Sequence, residues 1–441
     1  EDRKGKDKFN VQRFVLFKGL FRNFGDTFLG LFKSNLERLS GDTHESNQRC
    51  AAEITAGLIR GSKHWTYQKL VNLWDFIIPV IKKGLDNITV ETLRDWGTCM
   101  ATAAESRDPR RIYRLLDLLM DDPLNGSGGA FADSSRLYVL QGALAQQEWR
   151  VAELLHDLLK YIEPKLGHSY KDVRDRLGSV TCNILMCDIK LARGTPSRSP
   201  RIVDFIKTAL PQLCDLKDVD LLQNNCVVTS DVVMNSEKML VDDIECVDLS
   251  ADIDMVSLDT AESFEDDKRK SAIKLSKTVL NWLWSNSSRS LESCPSELFE
   301  LLPLIVPLES QEDDQELQDL CSNVLAHLSY CLLSPEALSQ AVSTITKIAE
   351  SPSWHSRKSI LTFLQGLVCG NFFMVIENPN HVTSVQSIVL NLLLDKQLEV
   401  REAASQTLSG LIHYGFFKVD KNLQKKFSDL AATKLPKKRK R

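Results

Sequence analysis

The sequence predicts an all-α protein built from stacked antiparallel helical hairpins, and two observations support this fold class. Apolar residues recur with helical spacing along much of the chain, as at Phe14, Phe17 and Phe21, whereas strand-like alternation is scarce. The second observation is an internal echo. The segment RCAAEITAGLI at 49–59 returns at 401–412 as REAASQTLSGLI, with one extra residue before Gly-Leu-Ile. Recurrence of one helical pattern at long range is typical of a repeat array.

The spacing of arginines gives the length of the predicted repeat. Six arginines serve as its markers: Arg49, Arg94, Arg136, Arg174, Arg357 and Arg401. Neighbouring markers within each half of the chain are roughly 38 to 45 residues apart, close to the 40 to 47 residues of a HEAT or armadillo unit. Because arginine is a common residue, the echo is the stronger of the two observations. Together they predict a HEAT/armadillo-like α-solenoid.

Turn-forming residues predict where the helices of this array end. Glycine, aspartate and proline interrupt the helical pattern at intervals, and they leave helices of about 12 to 20 residues. In chain order, the predicted breaks are Gly25-Asp26, Gly41-Asp42, Gly61-Ser62, Gly84, Asp108-Pro109, Asp121-Asp122-Pro123, Glu163-Pro164 and Ser351-Pro352.

The distribution of charge divides the chain into segments. Between Asp242 and Asp267 there are eleven acidic residues and no lysine or arginine, a composition typical of a poorly ordered loop. This loop is either a solvated connection between helices or a contact surface for basic proteins such as histones. We therefore expect HEAT-like arrays over residues 1–217 and 268–435, an acidic, disordered insertion over 218–267, and a basic tail over 436–441.

Overall composition excludes several classes of protein. A net charge of −4 and a pI near 6.1 provide no general basic surface for nucleic acid. No apolar run approaches the roughly 18 to 20 residues of a membrane span, so no membrane partner is expected. Eleven cysteines without a Cys-x-x-Cys pair predict reduced core thiols in the cytosol or nucleus. The first residue is not Met, and we expect the sequence to be a fragment.

The sequence argues against an enzyme. The glycine-rich segment 126–129 is not followed by the Gly-Lys-Ser/Thr of a phosphate-binding loop, which predicts a helix connection. The histidines show no zinc-ligand spacing, so neither a metal nor another cofactor is expected. Cys369 and His355 are isolated from partners that could form a nucleophile and base, and His355 is expected to pack or cap beside Trp354. Carboxylates at 312–314 are interpreted as a solvated helix start.

Five consecutive basic residues follow Pro436: Lys437, Lys438, Arg439, Lys440 and Arg441. Runs of this kind are nuclear-import signals or nucleic-acid patches, although a basic tail can also simply increase solubility. We favour the import signal, which predicts an import receptor as a partner and both nucleus and cytosol as locations.

Several segments identify a family resemblance. They are FKGLFRNF at 17–24, AGLIRGSKHW at 56–65, AQQEWRV at 145–151, QLEVRE at 397–402 and KLPKKRKR at 434–441. With these segments the chain resembles the C-terminal part of the large HEAT-repeat proteasome activators. The resemblance implies a dome that caps the core proteasome, opens its gate and promotes ATP- and ubiquitin-independent degradation. It also implies acetylated core histones as substrates, roles in DNA repair and spermatogenesis, and a homodimer.

Two features of this sequence differ from the family. A bromodomain-like region of the family, similar to about 351–437 here, recognises acetyl-lysine through an Asn-Phe pair. The matching residues are Gly415 and Phe416, and glycine has no side-chain amide to donate, so we expect weak or no preference for acetylated histones. The family ends in a Tyr-Tyr-Ala tail, whereas this sequence stops earlier, so it is not expected to open the gate by itself. The alternative function is a HEAT-repeat transport or assembly scaffold for basic cargo such as histones.

Overall fold

A computed structural model describes residues 8–105, 108–125, 128–188, 198–209, 211, 213, 256–289, 294–310, 314–417 and 420–432. Within these ranges the regular structure is helical, apart from one isolated bridge between Cys294 and Leu333. The prediction of an all-α fold is therefore confirmed. None of the described helices is both long and apolar enough to cross a membrane.

The helices of the first half have ordinary lengths and are separated by short turns. They are α1 (Val11–Phe24), α2 (Leu29–Ser40), α3 (Glu45–Gly61), α4 (Tyr67–Asp86), α5 (Leu93–Ala104), α6 (Tyr113–Met120), α7 (Gly129–Gln147), α8 (Ala152–Ile162), α9 (Lys171–Leu185) and α10 (202–209).

The second half continues the pattern after one longer helix. Its helices are α11 (Val256–Arg289), α12 (Leu302–Leu308), α13 (Gln315–Ser329), α14 (Pro335–Ala349), α15 (Trp354–Gly370), α16 (Phe372–Glu377), α17 (Pro379–Leu392), α18 (Leu398–His413) and α19 (Lys421–Ala432). Short 3₁₀ turns include Ser296–Leu301, which leads into α12.

The chain forms two compact units, one of residues 1–204 with 281–286 and the other of 205–280 with 287–441. In the first unit, α1, α3, α5, α7 and α9 stack in order as one layer, while α2, α4 and α6 stack as the other. In the second unit α13, α15 and α18 stack in order, and α14 packs on α17. Alternate helices in two layers are the arrangement of stacked helical hairpins, as predicted.

Glycines allow the stacked helices of the first unit to approach closely. A Cβ atom added at Gly57 on α3 would lie 2.5 Å from the Phe17 Cβ and 3.0 Å from the Lys18 nitrogen on α1. A Cβ at Gly142 on α7 would lie 2.9 Å from the carbonyl oxygen of Gly97 on α5. Larger residues at these positions would push the helix backbones apart.

Most predicted breaks fall between helices, but the break at Gly84 is wrong. Gly25 follows the end of α1 with a φ of 64°, a conformation that favours glycine. Gly84, in contrast, lies inside α4. A Cβ there would lie 2.2 Å from a Trp96 ring carbon, so this glycine makes room for a buried indole and does not end a helix.

The boundary at residue 267 also differs from the prediction. Helix α11 begins at Val256, inside the predicted insertion, and continues into a stretch with Leu275, Val279 and Leu283 buried. Extending a helix from a packed segment needs no new nucleation step, so the packed stretch can support a helical start in acidic sequence. Residues 218–255 of the predicted insertion and the whole basic tail, 436–441, lie outside the described residues.

Candidate functional site

Three of the six marker arginines make the same contact at the start of a stacked helix. Arg174, Arg357 and Arg401 each donate from Nη1 to the carbonyl oxygens of the residues five and six positions earlier, at 2.7 to 3.0 Å. Each guanidinium therefore satisfies two carbonyls of the turn before its helix. Arg94, in contrast, is exposed. The arginine spacing thus identified a real repeat feature in part of the array.

An ion pair joins two neighbouring elements in each unit, buried in the first unit and partly buried in the second. In the first, Arg49 on α3 donates from Nε to Asp95 on α5 at 2.9 Å, and both side chains are buried. In the second, Arg357 on α15 makes two hydrogen bonds to Asp395, at 2.7 and 3.0 Å. Burial tends to raise the pKa of Asp395, but hydrogen bonds from Arg357 and the Gln397 amide lower it below its ordinary value.

The two echo segments match at their glycines. Both segments are helical, as predicted, and lie on α3 and α18. Gly57 and Gly410 lie equally far from the N-caps of their helices, which are His44 and Gln397. The Gly-Leu-Ile ends therefore occupy equivalent helical positions.

The extra residue in the second echo segment reflects a difference at the N-terminal ends of the two segments. Arg49 lies one residue further from its N-cap than Arg401 does. The residue equivalent to Arg401 is Gln48, which donates to the carbonyl oxygens of Ser40 at 3.1 Å and Asp42 at 2.7 Å. Gln48 thus binds the preceding turn in α3, as Arg401 does in α18. Arg49 forms the ion pair with Asp95 on the next stacked helix instead.

Gly415 ends α18 in a Schellman motif. Its φ is 78°, its N–H donates to the carbonyl of Ile412, and the N–H of Phe416 donates to that of Leu411, both at 2.9 Å. Glycine is favoured at such a position and asparagine is the usual substitute. A Cβ at Gly415 would meet no atom within 4 Å, so the position has room for a side chain.

Phe416 lies in the core. It is only 6% exposed and packs edge to face against Phe372, with ring centroids 6.5 Å apart, and against Phe417 at 5.6 Å. The exposed aromatic side chain at this turn is Tyr414, which is 56% exposed. The structure thus offers neither a side-chain amide at Gly415 nor an exposed phenyl ring at Phe416. The residues Lys437, Lys438, Arg439, Lys440 and Arg441 lie outside the described part of the chain.

A groove of 780 Å³, which sequence reasoning did not predict, lies among α12, α13 and α15 in the second unit. Glu309 in this groove accepts hydrogen bonds from the hydroxyls of Ser322, at 2.9 Å, and Ser359. Trp354 and His355 stack at its wall with ring centroids 3.6 Å apart. The groove therefore presents hydroxyl groups, two carboxylates, one lysine and an aromatic wall.

The residues that the sequence analysis considered for chemistry have structural roles. His355 stacks on Trp354 in the first turn of α15, the packing role expected for it. Burial raises the pKa of the Cys369 thiol, which disfavours the nucleophilic thiolate. Asp314 accepts a hydrogen bond from the Leu317 amide as the N-cap of α13, in agreement with a helix start. Within the described ranges no three His, Cys, Asp or Glu residues are placed to hold a metal.

Comparison with known proteins identifies what this chain is similar to. A family described as proteasome activator complex subunit 4-like, HEAT repeat-like, matches residues 1–142. Over all of its length the chain is 47% identical to proteasome activator complex subunit 4 of Bos taurus and 48% identical to subunit 4B of Danio rerio. Proteasome activator subunit 4 of Arabidopsis thaliana is 25% identical over 93% of the chain. The chain spans 22 to 23% of the length of these relatives.

Proposed function

Because this chain is similar throughout to one segment of proteasome activator complex subunit 4, we propose that it is part of a scaffold that activates the core proteasome. The observation that supports the proposal is the 47% identity over the full chain to a relative of that name. In this role the chain is not an enzyme. It contributes stacked helices to a cap that opens the proteasome gate and promotes ATP- and ubiquitin-independent degradation.

Hydrolysis of short peptides by purified core proteasomes tests this proposal. The protein to use is the natural one that contains this chain, since the chain spans about a fifth of its relatives. We expect stimulated hydrolysis and co-sedimentation with the proteasome. Asp95→Ala, which breaks the buried pair with Arg49, should reduce stimulation, while Asp26→Ala at the exposed pair with Lys69 serves as its control. Absence of both stimulation and binding rejects the proposal.

Among the substrates we include core histones, with roles in DNA repair and spermatogenesis. Preference for acetylated histones should be weak, because Gly415 has no side-chain amide and Phe416 is buried. Binding of acetylated and unmodified histone peptides, measured side by side, checks this expectation. A clear acetyl preference that disappears in Tyr414→Ala would instead assign recognition to the exposed aromatic ring.

The alternative function, a transport or assembly scaffold for basic cargo, is favoured by the acidic run from Asp242 to Asp267. Eleven carboxylates without a basic residue attract cationic partners. Affinity capture separates the two functions. Recovery of free histones or import factors without proteasome subunits would favour the alternative, whereas recovery of proteasome subunits would favour activation.

We place the protein in both nucleus and cytosol, with an import receptor binding the basic run from Lys437 to Arg441. Deletion of these residues should reduce nuclear accumulation of the natural protein. Replacement of the exposed Lys421 and Lys425 on α19 by glutamine is the matched control, because it also removes positive charge. An unchanged distribution after the deletion would contradict the assignment. Self-association into a homodimer is checked by sedimentation of the same protein.

A further inference from the structure

The groove among α12, α13 and α15 runs along two helices that lie side by side. Ser322 on α13 and Ser359 on α15 both donate to Glu309, which follows α12. Further along, a Cβ atom added at Gly366 on α15 would lie 2.4 Å from the Ser329 hydroxyl oxygen on α13. The two pairs have the same offset in sequence, so α13 and α15 run in the same direction and the groove follows both.

The groove is long enough for a short stretch of polypeptide. Its lining residues on α15 extend from Trp354 to Phe363. A helix rises about 1.5 Å per residue, so this stretch is roughly 14 Å long. An extended peptide advances about 3.3 Å per residue, and roughly four of its residues therefore match that length. The groove, at 780 Å³, is a site for a segment of chain and not only for one side chain.

Glu309 gives the middle of the groove a fixed negative charge. Its Oε1 atom accepts from the Ser322 hydroxyl at 2.9 Å, and its Oε2 atom accepts from the Ser359 hydroxyl. These neutral donors hold the carboxylate in place without neutralising it, and each oxygen keeps a lone pair for a further donor. Within the described part of the chain, no lysine or arginine forms an ion pair with Glu309. Glu309 is also the C-cap of α12, and the carboxyl end of a helix favours a cation.

A second carboxylate and one lysine line the same groove. Asp319 on α13 is exposed and accepts from the Gln315 side-chain amide at 2.8 Å. Lys358 on α15 is also exposed. With His355 neutral, two carboxylates and one ammonium leave the groove with a net negative charge. Such a groove attracts a cationic side chain, although Lys358 weakens the attraction.

Aromatic rings favour arginine over lysine as that cation. Trp354 and His355 stack with ring centroids 3.6 Å apart at the start of α15. Tyr330, which is 67% exposed, lines the groove after the end of α13. A guanidinium is planar, so it stacks on an aromatic ring while its N–H groups bind a carboxylate. A lysine ammonium is compact and lacks this flat face.

We propose that this groove binds a short polypeptide segment through an arginine side chain. The guanidinium donates to the free lone pairs of the Glu309 carboxylate, and its flat face lies against the aromatic rings of the groove. Asp319 adds attraction for the positive charge, and Lys358 opposes it. Because the site is defined by peptide binding, it is tested separately from activation of the proteasome.

Binding of a small set of peptides to the full chain tests the proposal. The probe is the capped peptide Gly-Ser-Arg-Ser-Gly with an uncharged fluorophore, and fluorescence anisotropy measures its affinity. We expect saturable binding. The same peptide with citrulline, which keeps the shape of arginine without its charge, should bind about tenfold more weakly. The same peptide with lysine should bind severalfold more weakly than the arginine peptide.

Variants of the groove make the test specific. Glu309→Gln should weaken binding of the arginine peptide about tenfold, because the charge of the carboxylate is lost at nearly constant size. Asp319→Asn should weaken it severalfold, whereas Lys358→Gln should strengthen it severalfold by removing repulsion. Glu377→Gln is the matched control, because Glu377 is an exposed carboxylate of the second unit outside the groove, and it should leave the affinity unchanged. Circular dichroism verifies that each variant is folded.

Several results would overturn the proposal. These are the absence of saturable binding, equal affinity for the arginine and citrulline peptides, and an unchanged affinity in folded Glu309→Gln. Equal affinity for the lysine and arginine peptides would overturn the assignment to arginine. If Glu309→Gln does not fold, the exposed positions decide: Asp319→Asn and Lys358→Gln must change the affinity in opposite directions, and equal effects of Asp319→Asn and Glu377→Gln would also reject the groove as the site.

Discussion

Helices α3 and α18 contain the same sequence pattern but lie in different surroundings. In α3, twelve of seventeen residues are buried, compared with five of sixteen in α18. Helix α3 is packed between α1 and α5, whereas α18 packs on α15 and α17. At Gly57 the close neighbours include the backbone of α1, while at Gly410 they are the side-chain end of Gln365. A repeated sequence therefore marks equivalent helical positions without making them equally important for stability.

The charged residues show the same difference. Arg49 on α3 has its charge buried against Asp95, and the side chains are 6% and 5% exposed. Arg401 on α18 instead donates to two backbone carbonyls at a partly exposed turn. An arginine whose charge partner is buried depends on that partner far more than one that contacts exposed peptide groups.

The largest expected effect is at Asp95. Asp95→Ala leaves the buried Arg49 guanidinium without its close carboxylate and should destabilise the first unit by about 3 to 5 kcal/mol. The control is Asp26→Ala, which removes an exposed pair with Lys69 and should cost below about 1 kcal/mol. Chemical denaturation of both variants measures the difference. Equal losses would show that burial of the Arg49 pair does not matter.

The two echo glycines give the next largest difference. In Gly57→Ala the new methyl group would meet the backbone of α1, and overpacking of this kind costs about 1 to 3 kcal/mol. In Gly410→Ala the Gln365 side chain can move aside, and the gain in helix propensity of up to about 1 kcal/mol offsets the contact. We expect a lower unfolding midpoint for the first variant and an unchanged or higher one for the second. The reverse order would contradict the comparison of α3 with α18.

The pair of Arg357 and Asp395 predicts a dependence on pH. Because the pKa of Asp395 is lowered in the folded protein, its stabilising effect is present above the unfolded value of about 3.9 and is lost as the pH falls through the lower folded value. Asp395→Asn should cost roughly 1 to 3 kcal/mol at neutral pH. Thermal unfolding across pH should show this difference shrinking in acid. A difference that stays constant down to acid pH would exclude the ion pair as its source.

The smallest effect is expected at Gly415. Asparagine tolerates the positive φ there, and a Cβ meets open space, so Gly415→Asn should change stability by less than about 1 kcal/mol. Gly415→Val, with a β-branched side chain, should be clearly more destabilising. Unfolding midpoints of the two variants test this order. If Gly415→Asn also gains a preference for acetylated histone peptides, the missing side-chain amide explains why this chain would bind them less well than the proteasome activators it resembles.

Periodicity and the echo were sufficient to predict the fold. Apolar spacing determines which face of a helix is buried, and Gly-Leu-Ile at 57–59 and 410–412 lies at equivalent positions as the repeat implies. The break at Gly84 could not be predicted correctly, because that glycine faces Trp96 from the next hairpin. Glycine is needed at position 84 because of a contact with another helix, and the sequence around Gly84 does not reveal that contact.

The sites were harder to predict than the fold for the same reason. Gly415 could be identified by resemblance, but its positive φ and the burial of Phe416 appear only with the packed helices. Cys294 and Leu333 are far apart in sequence and are paired by one backbone bridge. The Arg49 pair depends equally on the stacking of α3 on α5. Sequence spacing along one helix does not determine these neighbours.

Asn371 lies between two turns of the second unit, one after α13 and one at the end of α18. Its side chain is attached to the backbone at Cys331 and Leu333, and the next residue along the chain, Phe372, packs against Phe416 beside Gly415. One amide and one aromatic contact therefore connect the turn after α13 to the end of α18. Two turns that are distant in sequence are thus held together within the second unit.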